Sequence, residues 1–227
     1  MTSIPSRGLR RGLPLALAGA ALSSALLSGC GALLVGGVIV GSAMVATDRR
    51  TTGAQVDDET IEVKSSSRMS ETFGDKARVD TTSYNRMVLL TGEVPTADDK
   101  TKAEQVVARV PNVGSVVNEI SVGPLNTFGE RSKDTYITTK VKTSLVDAKD
   151  LFANSIKVTT HRGVVYLMGR VTEREAIRAS EVARGVSGVT KVVRVFEVIS
   201  ESELAQTQPK TLAAQPETAA SAAVVRP

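Results

Sequence analysis

One stretch of the chain occurs twice and carries the main signals for the fold. Residues 79–94 read VDTTSYNRMVLLTGEV, and residues 156–171 read IKVTTHRGVVYLMGRV. They align when Gly92 is placed on Gly169, an offset of 169 − 92 = 77 residues. The similarity extends on both sides, so that each copy covers about seventy residues. Because repeat arrays normally need three or more units to bury a continuous core, two copies predict two small domains rather than a solenoid.

The first copy predicts the element order αββαβ. A weak apolar stripe indicates a helix over 58–72, and two β-rich runs around Asn85 predict a hairpin, since Asn tolerates the left-handed conformation of a tight turn. Thr96 followed three residues later by Asp99 indicates the start of a second helix, and a strand is predicted over 113–122. The result is an α+β fold in which a three-stranded mixed sheet packs on two helices.

The second copy repeats this order with stronger signals. Thr172 and Glu175 form a capping box before a helix over 176–186, and a strand follows over 189–199. One question stays open in the third strands: Asn118 and Arg194 share the phase of apolar neighbours, so the pattern does not show which side is buried.

These signals divide the chain into segments. The first domain is predicted over 57–123 and the second over 132–200, joined by a linker over 124–131. The Ala-, Gln-, Pro-, Ser- and Thr-rich segment 201–227 has few large apolar residues and is predicted to be a disordered tail.

Residues 1–29 have the layout of a lipoprotein signal peptide. Basic residues precede an apolar stretch, and Leu27-Ser28-Gly29-Cys30 matches the lipobox, in which the cysteine is lipidated and becomes the first residue of the mature chain. The alternatives are an unpaired cysteine beside an ordinary cleavage site, and export as a folded protein through the Arg10-Arg11 pair. We predict acylation at Cys30.

Residues 30–56 are predicted to be a flexible tether. The apolar run 31–46 is short and Gly-rich for a membrane-spanning helix, which needs about 20 residues, so it is interpreted as interfacial, with spanning as the minor alternative. Gly31 stands where Asp would retain a lipoprotein in the inner membrane. We therefore expect the protein on the periplasmic face of the outer membrane.

Composition argues against several function classes. Without the three leader arginines, 28 − 3 = 25 basic residues face 24 acidic ones, so nucleic acid is not the expected partner. One His and one Cys leave no catalytic constellation and no metal-ligand cluster. The single histidine, His161, is interpreted as a surface residue of the second hairpin turn.

The chain resembles the dual BON-domain outer-membrane lipoproteins found at the division site of Gram-negative bacteria. The resemblance rests on the twofold αββαβ pattern and on TGAQVDD at 52–58, DTYITTKV at 134–141 and MGRVTERE at 168–175. It implies a non-enzymatic protein without cofactors that maintains outer-membrane integrity. It also implies that the first helix of the second domain binds anionic phospholipid, either phosphatidylglycerol or cardiolipin. Members of that family carry Trp at the position of Tyr136.

The residues of that helix are compatible with such a role. Ile137, Val141 and Leu145 recur every four residues and should face the core. The neighbouring exposed face then carries the candidate phospholipid-binding residues Lys133, Tyr136, Lys140 and Thr143. Tyr suits the headgroup boundary, and each Lys adds on the order of 1 kcal/mol against an anionic leaflet. The first copy offers Thr60 and Lys64 at the same positions and lacks the aromatic ring.

Without the resemblance, the same face is more typical of a solvated helix with one half-buried Tyr. Three hypotheses therefore stand: a lipid-anchored phospholipid-binding module, an interaction scaffold for envelope proteins, and a hydrolase for which no residue constellation exists. Binding to lipid vesicles discriminates the first two.

Overall fold

The computed structural model describes residues 48–207, and both repeats lie in one compact unit. The predictions for the signal peptide, for Cys30 and for the apolar run 31–46 lie outside the described residues. Among the described residues, no helix is long and apolar enough to cross a membrane.

The two repeats fold alike, with the predicted order αββαβ. The first contains α1 (Thr52–Phe73), β1 (Arg78–Tyr84), β2 (Met87–Val94), α2 (Ala97–Ala108), β3 (Ser115–Asn118) and β4 (Ser121–Val122). The second contains α3 (Phe128–Asp147), β5 (Ile156–His161), β6 (Val164–Val171), α4 (Glu173–Arg184) and β7 (Lys191–Val198). A short helix, α5 (Glu201–Thr207), follows.

Each repeat has a mixed sheet with its second strand in the centre. β1 pairs antiparallel with β2, and β2 pairs in parallel with β3 and β4, which together form an interrupted third strand. In the second repeat β6 lies between antiparallel β5 and parallel β7. The predicted α+β class is confirmed.

Both hairpins turn through two residues with positive φ. Asn85 and Arg86 have φ values of 50° and 66°, and Arg162 and Gly163 have 51° and 74°, as a tight turn between twisted strands requires. The predicted left-handed conformation of Asn85 is confirmed.

The glycines that aligned the repeats are needed where two strands approach closely. A Cβ at Gly92 would lie 2.0 Å from the carbonyl oxygen of Arg78, and one at Gly169 would lie 2.3 Å from that of Ser155. No larger residue fits there without moving the backbone.

A buried aspartate on the first helix of each repeat holds the hairpin turn. Asp58 accepts hydrogen bonds from the amides of Asn85 and Arg86 at 2.7 and 2.8 Å, and Asp134 accepts two 2.8 Å bonds from the amides of Arg162 and Gly163. Burial opposes ionisation of Asp58, but the hydrogen bonds from Ser83 and from the turn amide outweigh it and lower its pKa. The same contact thus joins helix and hairpin in both copies.

The helices of each repeat cover one face of its sheet. Leu90 and Leu167, the apolar positions paired by the repeat, are fully buried in the two separate cores. The opposite faces of the two sheets pack against each other through a third apolar cluster: Tyr84, Leu89, Tyr166, Met168 and Val195. Both central strands are therefore buried on both sides, and the two repeats form one body.

This arrangement answers the open question about the third strands: one of their sides faces the other sheet, and the opposite side faces the helices of their own repeat. Val117 and Val195 face the other sheet, whereas Asn118 and Arg194 face the helices of their own repeat. Asn118 donates to the carbonyl oxygen of Lys100 at 2.9 Å, and Arg194 lies 3.6 Å from Glu173.

The interpretation of His161 as a surface turn residue is wrong. It is the last residue of β5 and is buried, with its Nε2 3.1 Å from Oε1 of Glu93 in the first repeat. Arg162 donates to the same oxygen at 3.2 Å. His161 is covered because Glu93 of the first repeat packs against it, which the local sequence does not indicate.

The predicted tether over 30–56 extends too far. Thr51 caps α1 by accepting from the amide of Ala54, and α1 begins at Thr52. Two arginines before it are docked: Arg49 forms two 2.7 Å bonds with Glu175 of the second repeat, and Arg50 forms one of 2.7 Å with Asp58 of the first. Residues 49 and 50 thus join the two repeats.

The predicted linker and tail also contain helical residues. Thr127 and Glu130 form a capping box, so α3 begins at Phe128, inside the predicted linker 124–131. At the start of α5, the Glu203 carboxylate accepts from the amide of Ser200 and the Ser200 hydroxyl accepts from the amide of Glu203, both at 3.2 Å. Leu204 is buried. The prediction of a disordered tail is therefore wrong for residues 201–207. Residues 208–227 lie outside the described residues.

Candidate functional site

The candidate site lies on the solvent-facing side of α3. Ile137, Val141 and Leu145 are buried in the core of the second repeat, as their spacing predicts. The four predicted site residues therefore lie on other sides of the helix. Lys133, Tyr136 and Thr143 are exposed, whereas Lys140 is half-buried.

Tyr136 is the central residue of this surface, with 64% of its area exposed. The ammonium of Lys140 lies 4.8 Å from the centre of its ring, a cation–π contact. The ring is thus held at the surface with one face towards the ammonium of Lys140 and most of its area accessible.

Lys140 also braces α3 against the loop between α4 and β7. Its ammonium donates to the carbonyl oxygen of Ser187 and, at 2.8 Å, to the hydroxyl of the same residue. These two bonds use N–H groups of Lys140 that could otherwise bind an external anion. Lys133 is therefore the more available cation of the two.

Two further apolar residues belong to the same side of α3. Phe128 is 78% exposed at the first turn, and Val146 is 65% exposed at the last. At 100° per residue, each lies within about 80° of Tyr136 around the helix. We call Phe128, Tyr136 and Val146, with the polar residues between them, the α3 face.

The sequence reasoning missed Phe128 because it placed the residue in the linker. The signal that would have found it is the capping box Thr127-x-x-Glu130, which starts the helix one residue before Phe128. The bonds from Thr127 also lower the pKa of Glu130, so that this carboxylate stays charged at the helix start.

The hydroxyl groups of the α3 face are satisfied inside the helix. Thr135, Thr139 and Thr143 each donate at 3.0 Å to the carbonyl oxygen four residues earlier, and Ser132 does the same. A hydroxyl with an internal acceptor loses little when it leaves water. The face is therefore less polar than its composition indicates.

The equivalent helix of the first repeat has a different outer surface. At an offset of 76 residues, Thr60 occupies the position of Tyr136 and Asp57 that of Lys133. α1 carries five acidic and two basic residues, a net −3, whereas α3 carries three acidic and four basic residues, a net +1. The positive, aromatic surface belongs to the second repeat.

The fold and the repeat agree with a known domain family. The BON domain matches residues 57–124 and 133–200, which correspond to the two αββαβ units. The chain belongs to the BON-domain family. The α3 face is thus the outer side of the first helix of BON domain 2.

Several curated proteins are similar to this chain. Outer membrane lipoprotein DolP of Haemophilus influenzae is 42% identical over 175 residues, which is 76% of this chain and 90% of DolP. The 21 kDa hemolysin of Actinobacillus pleuropneumoniae is 36% identical over 154 residues, 67% of this chain and 79% of its own. Osmotically-inducible protein Y of Escherichia coli is 42% identical over 69 residues, 30% of this chain and 34% of its own.

Proposed function

We propose that this protein is a non-enzymatic lipoprotein of the outer membrane that binds anionic phospholipid through the α3 face and so helps to maintain the membrane. The observation that carries the proposal is the exposure of Phe128, Tyr136 and Val146 on one side of a helix whose opposite side is fixed in the core.

The chemistry of the α3 face suits the boundary between headgroups and acyl chains. The Tyr136 ring combines an apolar body with a polar tip, which favours the interface. Internally bonded hydroxyls reduce the cost of removing the face from water. Lys133 supplies positive charge, worth on the order of 1 kcal/mol against an anionic leaflet. Phosphatidylglycerol and cardiolipin provide that negative charge.

The proposed anchor is a lipidated Cys30 facing the periplasm. The lipobox supports it, and so does the similarity to a protein named as an outer membrane lipoprotein. With Cys30→Ser, incorporation of a labelled fatty acid should disappear, and continued labelling would contradict the anchor. Concentration at the division site belongs to the same proposal and is tested by imaging a fluorescent fusion in dividing cells.

Vesicle sedimentation tests the lipid proposal. Both repeats lie in one compact unit, so the fragment 46–227 can be studied without the acyl chains, which would themselves insert into the vesicles. We expect this fragment to sediment with vesicles rich in phosphatidylglycerol and to remain in solution with phosphatidylcholine vesicles. Binding to neither would reject phospholipid as the ligand and favour the scaffold hypothesis.

A further inference from the structure

A groove in BON domain 2 lies beside the α3 face, between the last turns of α3 and the outer edge of β5. It has a volume of about 220 Å³ and is lined by Lys142, Leu145, Val146, Ala153, Asn154, Ile156 and Val158. We call it the α3–β5 groove. β5 is an edge strand, because its sheet has the order β5-β6-β7.

The lining of the groove is mainly apolar. Leu145, Ile156 and Val158 are buried and continue into the core of the domain. Val146 lies at the rim, since it both lines the groove and is largely exposed. Lys142 is the charged residue of the lining and is also exposed. An apolar cleft with a cation at its rim is complementary to a molecule with an apolar chain and a negative head.

Three of the corresponding positions of BON domain 1 are polar, whereas Met69 and Val79 are apolar at the positions of Leu145 and Ile156. Ser66 replaces Lys142 and Ser70 replaces Val146 at the helix offset of 76, and Thr81 replaces Val158 at the strand offset of 77. The groove between α1 and β1 is lined by two carboxylates of α1, Glu59 and Glu62, and by Asp80. The apolar lining is therefore not a consequence of the fold itself.

We propose that the α3–β5 groove accepts one acyl chain of the anionic phospholipid bound at the α3 face. The proposal rests on the function proposed above. The groove and the face are continuous, because Val146 belongs to both and Lys142 lies one turn before it. A lipid seated there would place its phosphate near Lys142 and its chain against the buried floor.

The size of the groove limits how much of a chain can enter. Water occupies about 30 Å³ per molecule in the liquid, and a methylene group is of similar size, so about seven methylenes fill the volume. Each methylene that leaves water should tighten binding about fourfold. Adsorption of the headgroup alone would show no such dependence.

The test uses the fragment 46–227 and short-chain phosphatidylglycerols below their micelle concentrations. Between the dibutanoyl and dihexanoyl lipids one entering chain gains two methylenes, so the affinity should rise about fifteenfold. Methyl resonances of Val146 and Ile156 should shift on titration. Glycerophosphoglycerol, which has the same headgroup and no chains, should leave them unchanged.

Two variants test whether the acyl chain enters the α3–β5 groove. Ala153→Phe fills the groove while every residue of the α3 face stays unchanged in sequence, and it should abolish the gain in affinity with chain length. Val146→Ser installs the residue of BON domain 1 at the rim and should weaken dihexanoyl binding several-fold. Its matched control is Val63→Ser on α1, since Val63 is exposed to a similar extent, 62% against 65%. The control should bind as the wild type does.

The outcomes separate the two proposals. If the wild type sediments with phosphatidylglycerol vesicles but shows no chain-length dependence, or if Ala153→Phe keeps that dependence, the groove is not an acyl site and the proposed function stands. If the wild type fails to sediment, the proposed function is rejected and the acyl site with it. Should Ala153→Phe melt at a lower temperature, the methyl resonances of Ile156 decide, because this residue lines the groove and lies outside the α3 face. Resonances of Ile156 that stay unchanged on titration with the dihexanoyl lipid would overturn the acyl site.

Discussion

The first helices of the two BON domains are attached to their sheets in the same way and face solvent with different surfaces. In each, an aspartate holds the hairpin turn and a stripe at intervals of four residues enters the core. Over the whole helix, α1 has a net charge of −3 and α3 has one of +1. On the outside, α1 carries Thr60 where α3 carries the exposed Tyr136. The inner residues of these helices therefore specify the fold, while the outer residues are free to differ in function.

The largest effects should come from the residues that the two domains share. Leu90→Ala and Leu167→Ala each remove a fully buried side chain and should lower the free energy of unfolding by about 2 to 5 kcal/mol. Because the sheets share an apolar cluster, we expect one cooperative transition in calorimetry for either variant. Two separate transitions would show that the domains unfold independently, and unchanged melts would contradict the placement of these leucines in the cores.

A smaller effect is expected at the connection ahead of α1. Arg49→Ala leaves the buried Glu175 with its bonds from Thr172 but without its charged partner, and it should destabilise the fold by about 2 kcal/mol in denaturant unfolding. Its control is Arg178→Ala, which removes an exposed pair with Asp150 and should change stability by less than about 1 kcal/mol. Equal effects of the two variants would show that Arg49 does not join the domains.

The repeat made most of the fold predictable, because matching residues in two copies reinforce one another. It predicted the αββαβ order, the hairpins and the glycines at 92 and 169. The packing of one sheet against the other was not predicted, although the doubly buried strands carry a signal in Val88-Leu89-Leu90 and Val165-Tyr166-Leu167, which are apolar at consecutive positions. The pairing of Arg49 with Glu175 spans 126 residues and leaves no local pattern.

The candidate site was only partly predictable for a related reason. The spacing of Ile137, Val141 and Leu145 identified the outer side of α3 and hence Tyr136. Periodicity does not show what a long side chain contacts in three dimensions. The bond from Lys140 to Ser187 crosses 47 residues, so the two lysines looked equivalent in sequence and differ in structure.

The different contacts of Lys133 and Lys140 predict a small difference between their substitutions within the α3 face. Lys133→Ala should weaken sedimentation with phosphatidylglycerol vesicles by about fivefold at low salt, since an exposed lysine near an anionic surface contributes on the order of 1 kcal/mol. Lys140→Ala should weaken it less, because its ammonium is already bonded to Ser187. Both effects should shrink as salt rises. A larger loss with Lys140→Ala in a fully folded protein would reverse the assignment.

The most direct test of the division between the two helices compares Tyr136→Glu with Thr60→Glu in the fragment 46–227. Each change places a carboxylate at the same position of its helix, and both residues are exposed, so neither core should be affected. In sedimentation with phosphatidylglycerol-rich vesicles, we predict that Tyr136→Glu abolishes binding and that Thr60→Glu binds as the wild type does. Wild-type binding by a folded Tyr136→Glu fragment, or equal losses in both variants, would contradict the α3 face as the lipid-binding site.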